Sequence, residues 1–332
     1  MNEAYPPRVV TFGEAMIRLA PPHFRRIEQT QSLDLEIGGA ELNTAVGLCR
    51  LGRQASWVSR LTDNALGRVL GNRAREAGVD TSDILWTDRD RVGLYFLEFG
   101  AAPRPSSILY DRADSAMARV QPDMIDWPKI FQGAAWFYVT GITAALSPTA
   151  ADATLEALVQ AKKAGLTTCL DPNYRAKLWS VEQAAAWLNK AIEHVDVLVT
   201  NPEDIDRFFH IPNADLEKAV TAAVERFNLK AIAMTLRQVH SVWRNSWTAI
   251  GFANNQLLKT ATYEVEIVDR LGAGDAFVSG LIDGLIDDDL QKGLDTGVAL
   301  SALKHSIPGD LPWITRDEVD ALLKGGGLRI SR

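Results

Sequence analysis

Apolar runs of strand length alternate with amphipathic helical patterns along most of the 332 residues. "RVVTFG" (8–13) predicts a first strand, "NTAVGLCRLG" (43–52) a helix closed by glycine, and "ASWVSRL" (55–61) the next strand. A helical pattern follows over 64–78, then a strand over 134–141, a helix over 149–164, and strands over 166–171, 195–201 and 230–236. Such alternation predicts an α/β fold, a mostly parallel sheet with helices on both faces. Two segments, about 17–37 and 91–116, break the rhythm with prolines, arginines and short extended patterns such as "VGLYFLEFG" and "SSILYDR". Each returns to the βα pattern. They are expected to be excursions from one unit spanning 1–332, forming a small sheet over the active face. A frayed tail is expected at "KGGGLRISR".

Composition narrows the partners. Hydrophobic residues make up 47% and charged residues 23%, as in an ordinary globular protein, and the net charge of −7 argues against nucleic acid or an anionic membrane surface. Cys49 and Cys169 lack metal-ligand spacing, which suggests a reduced, cytoplasmic setting. The opening "MNEAYPPRVVTFGE" shows no basic region followed by a long apolar one, so no signal peptide is expected. A small anionic ligand would need a local cluster of arginines.

Several familiar chemistries are missing. There is no G-x-x-x-x-G-K-[ST], no H-E-x-x-H, no C-x-x-C and no G-x-S-x-G, and the five histidines are scattered. The remaining chemical feature is "DRLGAGDAFVSG" (269–280), two glycines ahead of an aspartate where a helical pattern begins. One reading is a turn with an N-capping carboxylate. The other is an anion site, with the N–H groups of Gly272, Ala273 and Gly274 directed at a phosphate beside Asp275.

"GGAELNTAVGLCRLG" (38–52) resembles the first signature of the ribokinase-like (PfkB) carbohydrate kinases, and "DRLGAGDAFVSGL" (269–281) resembles the second. "GLYFLE", "ILYDRADSA" and "LDPNYRAKLWS" are similar to the substrate segments of the branch acting on 2-keto-3-deoxygluconate. The resemblance implies a three-layer α/β/α domain, a small β lid made by the two excursions, and transfer from Mg-ATP to the sugar 6-hydroxyl. Asp275 matches the family's general base, and a carboxylate is what a weakly nucleophilic hydroxyl needs. Gly272, Ala273 and Gly274 would stabilise charge on the transferring group. The resemblance assigns Gly38, Gly39, Asn43, Tyr95 and Tyr110 to the sugar, and Arg112 and Arg175 to its carboxylate. Taken singly, Asn43 also reads as a cap, the tyrosines as packing and the arginines as surface charge. Arg18 stands near the point where many of these kinases carry an aspartate that binds hydroxyls, and would suit an acid substrate or lie on the surface.

Two stretches depart from the family pattern. Where T-L-G-x-x-G is usual, the chain reads "TLRQVHSVWRNSW", with Thr235 retained and Arg237 and His240 at the glycine positions. Arg237 would either touch a nucleotide phosphate or turn away to a carboxylate. "NPED" (201–204) replaces N-x-x-E, so Asn201 is expected at the nucleotide and Asp204 at magnesium through water, or both simply start a helix. Fructose, ribose or a nucleoside stays open as substrate, as does a non-catalytic binding module. The open edges of a small lid sheet also suggest a homo-oligomer.

Overall fold

The computed structural model describes residues 7–325, so residues 1–6 and most of the tail expected to fray lie outside the described residues. A nine-stranded sheet organises the chain. From its outer edge inward run Gln256–Lys259, Arg244–Ala253, Ala231–Ser241, Val197–Thr200, Thr167–Asp171, Ala134–Thr140, Arg8–Phe12 and Gln54–Val58, with Tyr263–Glu266 also pairing to Arg244–Ala253. Pairing is parallel from Ala231–Ser241 through to Gln54–Val58 and antiparallel beyond Ala231–Ser241.

The parallel strands are apolar on both faces, as a sheet covered on both sides requires. Val10, Phe12, Phe137 and Val139 enter one core with the helices Pro148–Lys163, Val181–Ala191, Pro202–Phe209 and Leu216–Phe227. Their neighbours Val9, Trp136 and Tyr138 enter the other, with Ala40–Arg50, Ala65–Glu76, Ala273–Ile286 and Leu290–Lys304. The result is the three-layer α/β/α arrangement that the resemblance implies.

Met16–Ala20, Asp34–Gly38, Leu94–Glu98 and Ser107–Asp111 form a separate four-stranded sheet. Its first strand follows Arg8–Phe12 after three residues. It therefore starts at the carboxyl ends of the parallel strands.

Some boundaries differ from the sequence pattern. The helix expected from residue 43 begins at Ala40, because Gly39 is its extended N-cap and Ala40–Leu42 are already wound. The stretch 55–61 divides into Gln54–Val58 and Arg60–Thr62, the second pairing with Leu85–Thr87. "TLRQVHS" is a strand throughout, part of a long hairpin pairing Thr235 with Ala249 and Arg237 with Trp247. A chain that pairs through its length needs no glycines there.

Candidate active site

Strand order locates the site. Arg8–Phe12 lies between Gln54–Val58 and Ala134–Thr140, so the chain leaves it first to one side and later to the other. Open α/β sheets bind ligands in the crevice at the carboxyl ends of strands around such a point. Glu14 follows one of these strands, Thr140 ends the second and Asp171 ends the third. A pocket lies against this edge, lined by Glu14, Gly38, Gly39, Asn43, Tyr95, Tyr110, Arg112, Arg175, Gly272, Asp275 and Asp310, among others.

Two helix starts converge on its floor. The helix Ala273–Ile286 has Gly272 as N-cap with φ +79°, a left-handed conformation that favours glycine. A Cβ on Gly272 would also stand 1.9 Å from the Asp310 carbonyl oxygen. Gly274 is exposed, and a Cβ there meets nothing within 4 Å, so the first turn opens onto free space. The helix Ala40–Arg50 starts beside it, with Gly39 close enough that a Cβ would sit 2.1 Å from the Glu14 carbonyl oxygen. Asn43, one turn in, donates to Asp275 Oδ2 at 2.7 Å and accepts from the Gly39 N–H at 3.3 Å.

Asp275 is buried, and desolvation pushes its carboxyl up to about 6 against the lowering effects of the Asn43 bond and the Arg175 charge. Two other acids lie near, Glu41 buried and Asp171 half-buried. Asp171 is pushed up to about 7 by burial, with Asp275 and Asp204 adding repulsion. Glu41 rises to about 7 for the same main reason, although its Oε1 accepts from the Thr140 N–H and the hydroxyls of Thr140 and Thr143. Its Oε2 has no partner.

The structure treats the four arginines raised by the sequence differently. Arg175 is exposed; it donates to the Tyr174 carbonyl at 3.1 Å, and no carboxylate lies within 4.0 Å of it among the described residues. Arg112 also lines the pocket, but Glu14 already accepts from its Nε at 2.8 Å and from its Nη2, so its charge is neutralised locally. Arg18 does not line this pocket and is not a surface residue. It is 2% exposed and paired with Asp269 and Asp310. Arg237 lies outside the pocket on the exposed half of the hairpin, within electrostatic reach of Arg270.

Tyr95 is buried and donates to Asp310 Oδ2 at 2.5 Å; the half-buried Tyr110 lies 6.0 Å away, centroid to centroid. Asn201 caps the helix Pro202–Phe209, accepting from the Asp204 N–H at 2.9 Å and donating to Asp204 Oδ2 at 2.7 Å. Asp204 is also bonded to Arg207 at 3.0 Å. Thr235, Arg237, Asn201 and Asp204 do not line this pocket. Sequence reasoning missed Glu14 and Asp310. Glu14 had a signal, being an acid two residues past the first strand, whereas "PGDLPW" offered none.

A helix start that opens to solvent at Gly274, next to a buried carboxylate at the switch point of an α/β sheet, is an arrangement able to hold an anion beside a base. Comparison with known proteins agrees. The model of the pfkB family carbohydrate kinases matches residues 6–311, and the chain belongs to that family. It is 38% identical to a 2-dehydro-3-deoxygalactonokinase of Haloferax volcanii over 325 residues, covering 98% of this chain and 99% of that one. The crystal structure of a 2-dehydro-3-deoxygluconokinase from Thermotoga maritima matches with TM-score 0.92 at 40% identity, covering 96% of this chain and 100% of that one. A fructokinase of Xylella fastidiosa solved with bound ATP shares the fold, at TM-score 0.79 and 24% identity over 96% of this chain and 98% of that one. The protein is a carbohydrate kinase close to those of 2-keto-3-deoxy sugars.

Proposed function

We propose that the protein phosphorylates the 6-hydroxyl of 2-keto-3-deoxygluconate or its galactonate epimer, using Mg-ATP. The observation that carries the acid preference is Arg175, a pocket-lining arginine with no carboxylate within ion-pair distance among the described residues. A guanidinium left without an anion beside a polar pocket suits a substrate carboxylate, which it can hold through two N–H groups. Fructose, ribose and nucleosides are neutral and leave it unmatched.

The residues fit a nucleotide triphosphate. The open first turn at Gly272–Gly274 supplies N–H donors and the positive end of a helix dipole, and Arg237 and Arg270 form no ion pair with a carboxylate among the described residues. Arg270 is held to the hairpin by its bond to the Val242 carbonyl at 2.9 Å. ATP would supply the phosphoryl group at that turn. Among the described residues no three or more His, Cys, Asp or Glu side chains gather as a metal site, so magnesium would be held chiefly by phosphate and water. Asp204 would act only through water, since its carboxylate already serves Asn201 and Arg207.

Each residue then has a task. Asp275 accepts the hydroxyl proton, and its carboxyl near 6 is ionised in most molecules at neutral pH while remaining basic. Asn43 fixes Asp275 by its bond to Oδ2. The N–H groups of Gly272, Ala273 and Gly274 stabilise charge developing on the phosphoryl oxygens. Gly38 and Gly39 line the pocket where Asp310 and the Glu14 backbone close on them, so their missing side chains make room for the protein rather than for the sugar. Tyr95 and Tyr110 wall the sugar, and Arg112, fixed by Glu14, acts as a directed donor.

The small sheet would also carry a second copy of the chain. Leu35, Leu19, Phe96 and Leu109 stand in register across it, and Leu35 and Leu109 are exposed. Loss of the dimer in Leu109→Glu, measured by light scattering, tests this contact.

The decisive assay is ADP release with Mg-ATP and each keto-deoxy sugar acid, beside fructose, ribose and adenosine. Turnover confined to the acids is expected. Turnover on a neutral sugar overturns the use of Arg175, and ATP binding without turnover on any sugar points to a binding module.

A further inference from the structure

The described structure holds a buried charge cluster that the catalytic steps above do not use. Arg18, on the small-sheet strand Met16–Ala20, places Nη2 at 2.6 Å from Asp269 Oδ2 and Nη1 at 2.7 Å from Asp310 Oδ1. Its guanidinium lies over the Phe99 ring at 5.3 Å, and its Nε is buried without a partner. All three charged side chains are nearly inaccessible to water. Lys304 is a second buried cation nearby, but it donates to the Ile307 carbonyl at 3.2 Å rather than to either acid.

Both acids are fastened to the catalytic floor. Asp269 Oδ1 accepts from the Leu271 N–H at 3.1 Å and Oδ2 from the Gly309 N–H at 3.1 Å, which ties the approach to the Gly272 turn to the segment before Asp310. The Asp310 backbone packs against Gly272, its carboxyl packs against Gly38, and its Oδ2 accepts from Tyr95. Arg18 is thus the one side chain that bonds both acids at once among the described residues. Without it, two carboxylates share a dry space with no direct counter-ion. Bridges of this kind add little net stability over apolar packing, so geometry is their distinctive product.

We propose that Arg18 is a positioning residue: by bridging Asp269 and Asp310 it locks the Gly272 turn, and the pocket faces of Asp310 and Tyr95, to the strand that carries it. The inference rests on the kinase reading and deepens it, since a kinase site a fraction of an ångström too loose loses rate steeply. Arg18 acts through these acids and touches no reacting atom.

Arg18→Gln, Arg18→Lys, Asp310→Asn and the double variant Arg18→Gln/Asp310→Asn test it. The assay uses whichever sugar the wild type turns over, so a wrong sugar overturns the substrate reading and leaves this comparison readable. In Arg18→Gln, sugar KM is expected to rise and kcat to fall by about tenfold or more each, with KM for ATP, whose phosphates meet the loosened Gly272 turn, rising by less. Arg18→Lys should recover part of the loss, because one ammonium can serve one acid. The double variant should resemble Asp310→Asn rather than multiply the two losses. Kinetics within about threefold of wild type, with only a lower melting temperature, would make Arg18 a structural ion pair and overturn the proposal. If Arg18→Gln does not fold, the Lys variant decides alone: unchanged kinetics overturn the proposal, and a raised sugar KM with a lowered kcat supports it.

Discussion

The floor and the rim of the pocket are built to opposite rules. On the floor, Asp275, Asp269 and Asp310 are buried, and each has a side-chain partner or a backbone donor at hydrogen-bond distance. At the rim, Arg175 is exposed, and among the described residues its side chain is held only by the Tyr174 carbonyl. A buried charge must be matched by the protein itself, since an unmatched one costs several kcal/mol, whereas an exposed charge is matched by water until a ligand arrives. On the proposed reading, the floor would carry the chemistry and the rim the selectivity, its charge being met by the substrate.

The largest test of that division is Asp275→Asn. It removes the base but keeps a side chain able to meet Asn43, so kcat should fall by about a thousandfold or more with nucleotide affinity by calorimetry nearly unchanged. Matching losses of binding and rate would show that the floor also holds the ligands. Gly272→Ala comes next. The new methyl meets the Asp310 carbonyl and the residue must keep φ +79°, so kcat should drop about a hundredfold and stability by about 1–3 kcal/mol, read by urea unfolding.

Arg175→Met probes the rim. Sugar-acid KM should rise about ten- to a hundredfold while kcat changes little, because the lost contact serves ground state and transition state alike. A fall in kcat with KM constant would place Arg175 on the floor instead.

The smaller effects concern pH. On the proposed mechanism Asp275 acts in its ionised form, so kcat/KM should rise with pH through about 6 and level above it. Glu41 gives the stability counterpart. Its folded value near 7 lies above the unfolded value, so its contribution is present below about 4.5 and lost as pH rises through 7. Wild type should therefore lose on the order of 3 kcal/mol more than Glu41→Gln between pH 4.5 and 8. Parallel melting curves across that range would remove the claim.

The alternation of short apolar runs with helical periods was enough to predict a sheet covered on both faces, because strand and helix periods are local properties of the chain. The two glycine-bearing signatures likewise pointed to Asn43 and Asp275, which the fold brings within 2.7 Å. Glycine where backbones must touch and a carboxylate at a helix start are legible without neighbours. Partnership is not. Arg18, Arg112, Arg175 and Arg237 look alike along the chain, yet one is enclosed by two acids, one is neutralised by Glu14, one faces an open pocket and one stands on a hairpin. Asp310 lies 292 positions from Arg18, and no local pattern records that distance. What the sequence by itself determined was the alternation of strands and helices, the class of fold and the glycine-bearing turn before Asp275. Tertiary structure alone decided which charges are spent on the protein and which are left for a ligand, because an ion's energy depends on what surrounds it in space.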